Sequence, residues 1–294
     1  MKKYILQLAM IFGIPSLANA QKLYVDIDGG YGLRLSALQF GNSTYSSSGT
    51  TYKSRTLTLG SGMNFGGNIG YSIKDNIALE LGINYLISPF KMETNSGYEM
   101  VNISSETDKA EYNWKTTMLR ITPAIRLSAG TGKIKIYSRL GICFGILASS
   151  VQNEKDTQVH TDFQFPSNSS TNVDDKTWEY KGGMGFGLMG SMGLMYSLND
   201  KLNLFFEANA ISQNWAPKKA SMTKNTTNGV DYLPTLTTSQ KEIDFVDEYT
   251  ISNNFTPPSS TSPAKQIKIY FPTSCVSLNI GIHIPFGGKK EEEK

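Results

Sequence analysis

Apolar and polar residues alternate in steps of two, the alternating runs mostly reach ten residues or more, and the connections switch strictly between short and long. Together these predict an all-β chain, an eight-stranded antiparallel up-and-down transmembrane β-barrel. Soluble strands average about 5–6 residues, whereas a strand crossing a bilayer at a steep tilt needs about 9–11. With 294 residues and a net charge of +3, the chain suffices for one large domain or two ordinary ones and is too weakly charged to imply nucleic acid. Its 27 Gly, 15 Tyr and 14 Phe favour β-structure with crowded places.

The chain opens on "MKKYILQLAMIFGIPSLANA". Lys2 and Lys3 precede an apolar run from Tyr4 to Leu17, and Ala18-Asn19-Ala20 follows. This is the pattern of a secretory signal with an A-x-A cleavage site, so residues 1–20 are expected to be removed and Gln21 to begin the mature chain. The run falls short of the roughly 20 residues of a spanning helix. No Cys lies near the cut, so no lipid anchor is expected there. Cys143 and Cys275 fall in strands expected to lie well apart. A bridge needs Cα atoms within about 7 Å, so two free thiols are expected.

The first strand, Leu23 to Leu35, sets Val25, Ile27, Tyr31 and Leu33 against Tyr24, Asp26, Asp28 and Arg34. The second, Leu57 to Ile73, sets Met63, Phe65 and Ile69 against Asn64 and Asn68. The third, Ile77 to Ile87, carries Glu80, Gly82 and Asn84 on its polar face, and the fourth, Thr117 to Leu127, carries Arg120 and Arg126. The fifth, Ile134 to Ala148, carries Lys135, Arg139 and Cys143, and the sixth, Trp178 to Ser197, carries Glu179, Lys181, Ser191 and several glycines. The seventh, Leu202 to Ile211, carries Glu207 and Asn209. The eighth, Gln266 to Phe286, slips in phase near "YFPTS", where Pro272 predicts a bulge.

"KDN", "SAGTGK" and "NDK" (starting at Lys74, Ser128 and Asn199) are tight turns. Ser36–Thr56, Ser88–Thr116, Ser149–Thr177 and Ala216–Lys265 read as long loops, rich in Ser, Thr and Asn. In a meander every long loop then lies at one end, and both chain ends join the other. "TPPSSTSP" (Thr256 to Pro263) has a disorder-prone composition, and "KEIDFVDEYTI" (Lys241 to Ile251) suits an exposed hairpin.

Alternation alone does not say which face meets lipid, and a soluble lipocalin-like or sandwich protein would show the same period. Strand length, charges on nearly every polar face and aromatics near the strand ends favour lipid outside and a small polar lumen inside. Tyr71, Tyr196 and Phe286 lie toward the short turns, and Tyr85, Phe144, Trp178 and Tyr180 toward the long loops. A closed barrel also satisfies every backbone polar group in lipid.

The signal, the short/long alternation over eight strands and the final Phe286 resemble the OmpA-like outer-membrane barrel superfamily of Gram-negative bacteria. The style is that of stand-alone outer membrane protein β-barrel domain proteins common in the Bacteroidetes. The resemblance spans Lys22 to Phe286 and implies residence in the outer membrane. It also implies that Leu278, Ile280, Ile282, Ile284 and Phe286 form the C-terminal assembly signal read by the outer-membrane insertion machinery. The sequence departs from the family by adding a charged tail, Gly287 to Lys294, expected on the periplasmic side. It lacks the peptidoglycan-binding domain of OmpA itself, so no cell-wall tethering is inferred.

Candidate chemistry is sparse. "GFGLMG" (Gly185 to Gly190) matches a dinucleotide fingerprint without the strand-turn-helix context that gives it meaning, so its glycines are read as relieving crowding. "GTGK" fails as a phosphate loop. Asp26 and Asp28 share a face, and paired carboxylates can do acid/base work or bind a cation. The opposing bases favour a luminal charge network instead, comprising Asp26, Asp28, Glu80, Arg120, Arg139 and Glu207, since buried charges must pair. Glu80, Arg120, Arg139 and Glu207 lie at comparable heights above their own turns and are expected to share one layer. His160 and His283 have no catalytic constellation in the sequence, and no Cys/His spacing suits a metal. No cofactor is expected. The partners expected are outer-membrane lipids, the insertion machinery and an extracellular ligand that the sequence does not name, with no nucleic acid and a monomeric state. The sequence therefore reads as a non-enzymatic outer-membrane barrel with a structural or surface-interaction role, long extracellular loops and a plugged polar lumen. A narrow solute pore and an outer-membrane lipid-modifying enzyme are the alternatives.

Overall fold

The computed structural model describes residues 23–34, 38–46, 49–100, 102–250 and 260–286. The expected signal peptide and the charged tail lie outside the described residues, as do residues 251–259 of the last long connection.

The strands are β1 (Leu23–Arg34), β2 (Leu38–Ser46), β3 (Gly49–Leu57), β4 (Gly62–Lys74), β5 (Ile77–Met100) and β6 (Ser104–Ala129). There follow β7 (Ile134–Asp162), β8 (Ser170–Lys181), β9 (Gly185–Asn199), β10 (Leu202–Trp215) and β11 (Lys219–Thr227). The last are β12 (Val230–Asp231), β13 (Glu242–Val246), β14 (Ala264–Ile267), β15 (Phe271–Pro272) and β16 (Cys275–Phe286). Antiparallel ladders join β1 to β4, β4 to β5, β5 to β6, β6 to β7, β7 to β9, β9 to β10 and β10 to β16. A last ladder joins β16 back to β1, so the up-and-down sheet closes on itself.

The closure is staggered. From Leu23 the pairing steps run through Tyr71, Leu79, Ile125, Leu140, Gly190, Ala210 and Val276 to Leu33, ten residues along β1 from the start. Such a shear tilts every strand against the axis of a closed sheet.

The faces are inverted relative to a soluble protein. On β5, Leu79, Leu81 and Ile83 are exposed while Glu80 is buried; on β16, Leu278 and Ile280 are exposed while Ser277 and Asn279 are buried. Inside the closed sheet, ring and glycine share the space. A Cβ on Gly193 would stand 2.3 Å from the Tyr137 ring, closer than atoms can approach.

The long connections are not loops. The β5–β6 ladder continues without a break from Ile77↔Leu127 to Met100↔Ser104, so Ser88–Thr116 is a strand hairpin with a short turn. Ser149–Thr177 is likewise the upper part of β7 paired with β8, Ser36–Thr56 holds the β2–β3 pair, and β11 to β13 arise within Ala216–Lys265. The Ser, Thr and Asn composition hides these strands, because beyond the residues nearest the barrel both faces meet water and no apolar period is left to read. "KEIDFVDEYTI" is no hairpin: β13 lies antiparallel to β11 and parallel to β14.

The sixth run is two strands, broken where Gly182 and Gly183 take φ of 75° and 74°. Glycine tolerates that left-handed backbone, and any side chain at Gly183 would strike the Ala216 carbonyl. At this point β7 changes partner, from β9 up to Gly145 to β8 from Ser149 onward. The upper strands thus leave the closed sheet and continue as an open one, ordered β5, β6, β7, β8, β11, β13 and β14. The eighth run also divides. β14 belongs to the open sheet, β15 pairs the end of β10, and β16 starts at Cys275.

Candidate functional site

Every second residue of each closed-sheet strand points inward, and the inward positions of six strands bring their charges to one place. Arg139 on β7 forks between carboxylates, with Nη1 donating to Glu207 on β10 and Nη2 to Asp26 on β1. Its Nε lies 2.7 Å from Glu80 Oε2 on β5, with the N–H directed elsewhere, so that contact is electrostatic only. Arg126 on β6 approaches Asp26 at 3.3 Å and Glu80 at 3.4 Å. Tyr24 donates its hydroxyl to Glu80 at 2.6 Å, and His283 Nδ1 stands 2.6 Å from Asp26 Oδ1. The guanidinium carbons of Arg126 and Arg139 lie 4.0 and 4.9 Å from the centre of the Tyr137 ring. Three carboxylates thus face two guanidiniums, with the His283 ring beside Asp26. Asp26, Glu80, Arg126, Arg139 and Glu207 are almost wholly out of water. At such burial an unpaired charge costs several kcal/mol, roughly, which is why the ions gather.

Of the residues expected in the network, Asp26, Glu80, Arg139 and Glu207 come together. Asp28 stands apart: it accepts a hydrogen bond from Asn279 Nδ2 at 3.2 Å and makes no ion pair among the described residues. Arg120 does not share the layer. Its Nε donates to Gln213 Oε1 at 3.1 Å and its Nη2 to the Thr273 carbonyl at 2.7 Å, farther from the short turns. The stagger explains the difference, because equal counts above separate turns are unequal depths in a sheared sheet. It is Arg126, six positions nearer its turn, that reaches Asp26 and Glu80. Arg126, an inward base expected among the paired charges, belongs to the cluster, and so do Tyr24 and His283, which the sequence marks only as inward-facing. What unites them is register, such as Asp26 opposite His283.

Beyond Arg120 the interior becomes apolar. Leu59, Leu86, Phe90, Met118, Ala148, Trp215 and Phe271 form one buried cluster. Two connecting segments fold into it and are tied together: Thr58 Oγ1 donates to the Ser274 carbonyl at 2.7 Å, and Leu59 N–H to the Pro272 carbonyl at 2.8 Å. Trp114 and Tyr180 pack against the same cluster, stacked at 5.5 Å, so Tyr180 is an inward residue of the open sheet and not part of an interfacial ring. Cys143 and Cys275 are free thiols within another buried cluster. Their strands, β7 and β16, are separated in the ring by β9 and β10, as expected, and the two side chains join one cluster across the interior.

Two interior cavities flank the charges. One of about 130 Å³ opens toward the short turns beside Tyr24, Arg126 and His283. The other, about 40 Å³, lies between Asp28, Arg120 and Glu207. They share no lining residue. Among the described residues no group of three or more His, Cys, Asp or Glu is arranged to hold a metal ion, and no Ser, Thr or Cys is hydrogen-bonded to His283.

In the open sheet, burial and a hydrogen bond with Asp108 push the Asp156 carboxyl up to about 6. His160 lies there too, opposite Glu106 on one side and Ser170 on the other.

None of the curated proteins matches the chain. Among solved structures it is similar to CarO of Acinetobacter baumannii, with 10% identity and a TM-score of 0.31 over 90% of this chain and 96% of that one. A family model described as "Outer membrane protein beta-barrel domain" matches residues 5–228, most of the sequence, and the ladder from β16 to β1 closes the sheet beyond that stretch. The chain therefore belongs to the outer membrane protein β-barrel domain family, and its place is the outer membrane of a Gram-negative bacterium.

Proposed function

We propose that the chain is an eight-stranded transmembrane barrel with a plugged lumen, non-enzymatic, which holds an open β-sheet outside the cell as a surface-interaction element. The observation that carries this reading is the filling of the interior. Ion pairs occupy its short-turn half, the cluster around Trp215 and Phe271 occupies its far half, and the two cavities flanking the ion pairs are small and separate. An interior of this strand number is just wide enough for side chains to fill. The exposed apolar band of β5 and β16 supports lipid contact. With both chain ends and the tight turns on the periplasmic side, the open sheet faces outward.

Purified protein in planar bilayers should show little conductance. Large, stable channels would favour the narrow-pore reading instead. The enzyme reading has one supporting feature, the Asp26–His283 pair beside a cavity. Unchanged lipid composition of the envelope after His283→Gln would remove it.

A further inference from the structure

We propose that the far tip of the open sheet is a docking surface for a cationic, amphipathic polypeptide segment. The proposal rests on the reading above that this sheet stands outside the membrane, and it names the class of partner.

Three stretches meet at the tip through the pairing of β5, β6, β7, β8 and β11: residues 94–100 with 102–108, 156–175 and 225–240. They contain eight carboxylates and no Lys or Arg. Among the described residues only one of those carboxylates is in an ion pair, Asp175 with Lys224. Elsewhere in the open sheet acids and bases mix, as where Lys109 meets Glu93 and Glu111. The tip therefore carries an uncompensated negative field.

The same tip exposes large apolar side chains. Tyr98, Met100, Ile103, Phe163 and Phe165 are each about half exposed or more. The surface is also built. Phe163 N–H donates to the Ile103 carbonyl at 2.9 Å, tying the β5–β6 turn to the segment after β7. Asp162 Oδ1 accepts the N–H groups of Gln164 and Phe165 at 2.9 and 2.8 Å, and Tyr98 donates to Glu106 at 2.7 Å. A backbone already held in place loses less entropy on binding, and grouped exposed apolar residues mark interaction sites. Anionic lipid head groups would be repelled by the carboxylates. Lys or Arg alternating with apolar residues satisfies both the field and the rings.

The test uses the full mature chain in nanodiscs of zwitterionic lipid, with empty nanodiscs as blank. Three fluorescein-labelled peptides of equal length serve as probes: Lys/Leu amphipathic, Lys/Ser and Glu/Leu. Binding of the Lys/Leu peptide is expected, about tenfold tighter or more than either control and weaker in high salt. Two paired variants, Glu99→Lys with Glu106→Lys and Phe163→Ser with Phe165→Ser, should each lower that affinity about tenfold while far-UV circular dichroism stays unchanged. Equal affinity for the Lys/Leu and Lys/Ser peptides would overturn the proposal, as would indifference to both variants. Capture of phosphatidylcholine vesicles through Phe163 and Phe165 would also overturn it, by making the tip a membrane contact. Whether the tip faces outward is read separately, by labelling an epitope there on intact cells, so failure of the functional reading is distinguishable from failure of this one.

Discussion

Arg139 faces Asp26, Glu80 and Glu207 with its side chain almost wholly out of water, so removing it leaves Glu207 without its ion pair and Asp26 and Glu80 with Arg126. Arg139→Ala should destabilise by about 3–5 kcal/mol, the usual loss when one partner of a buried ion pair is deleted. Arg120 is as deeply buried but bonded to neutral groups, Gln213 and the Thr273 carbonyl. Arg120→Met gives up those hydrogen bonds and also withdraws a buried cation that no carboxylate touches. It should cost less than Arg139→Ala. Denaturant unfolding of both variants in lipid gives the order, and a larger loss for Arg120→Met would show that the charge cluster is not the interior's electrostatic centre.

At the scale of single strands, the two faces of β5 and β16 make opposite demands. Replacing Leu81 or Ile280 by Arg should cost about 2–4 kcal/mol near the bilayer midplane, whereas Ser277→Ala, inside, should cost far less. Equal tolerance on both faces would contradict lipid contact. The open sheet responds to a different variable. The Asp156 carboxyl is raised to about 6, above its ordinary value of 3.8, so the folded sheet binds a proton more readily than the unfolded chain there. Stability must then fall as pH rises through about 6 and recover as pH drops toward 4. Hydrogen exchange of β7 and β8 amides should be faster at pH 7 than at pH 5, after correction for intrinsic rates, and Asp156→Asn should abolish the difference.

For the molecule as a whole, the decisive geometry is a closed sheet from which the upper halves of a few strands depart. β7 serves both sheets, pairing with β9 below and β8 above. An epitope inserted between Asn228 and Gly229, at the turn after β11, should be labelled on intact cells, and one at Gly132 in a short turn only after permeabilisation. The reverse pattern would invert the orientation. The same departure makes the interior and the outer sheet separable: tip substitutions such as Phe163→Ser should alter binding without altering unfolding of the barrel.

Period-two alternation in the barrel strands identified the outward apolar face of β5 and β16, the inward placing of Asp26, Glu80, Arg139 and Glu207, and the tight turns, because each depends only on neighbouring residues. Polar strands such as Ser104–Thr116 and Ser149–Asp162 left no such mark, since a strand wetted on both faces needs no apolar period. Depth was equally hidden. Arg120 and Arg126 stand on the same face of β6, and nothing local tells which one meets Asp26. That choice follows from the ten-residue stagger between Leu23 and Leu33, a sum over the pairings of every strand in the ring, and only the closed tertiary structure sets it.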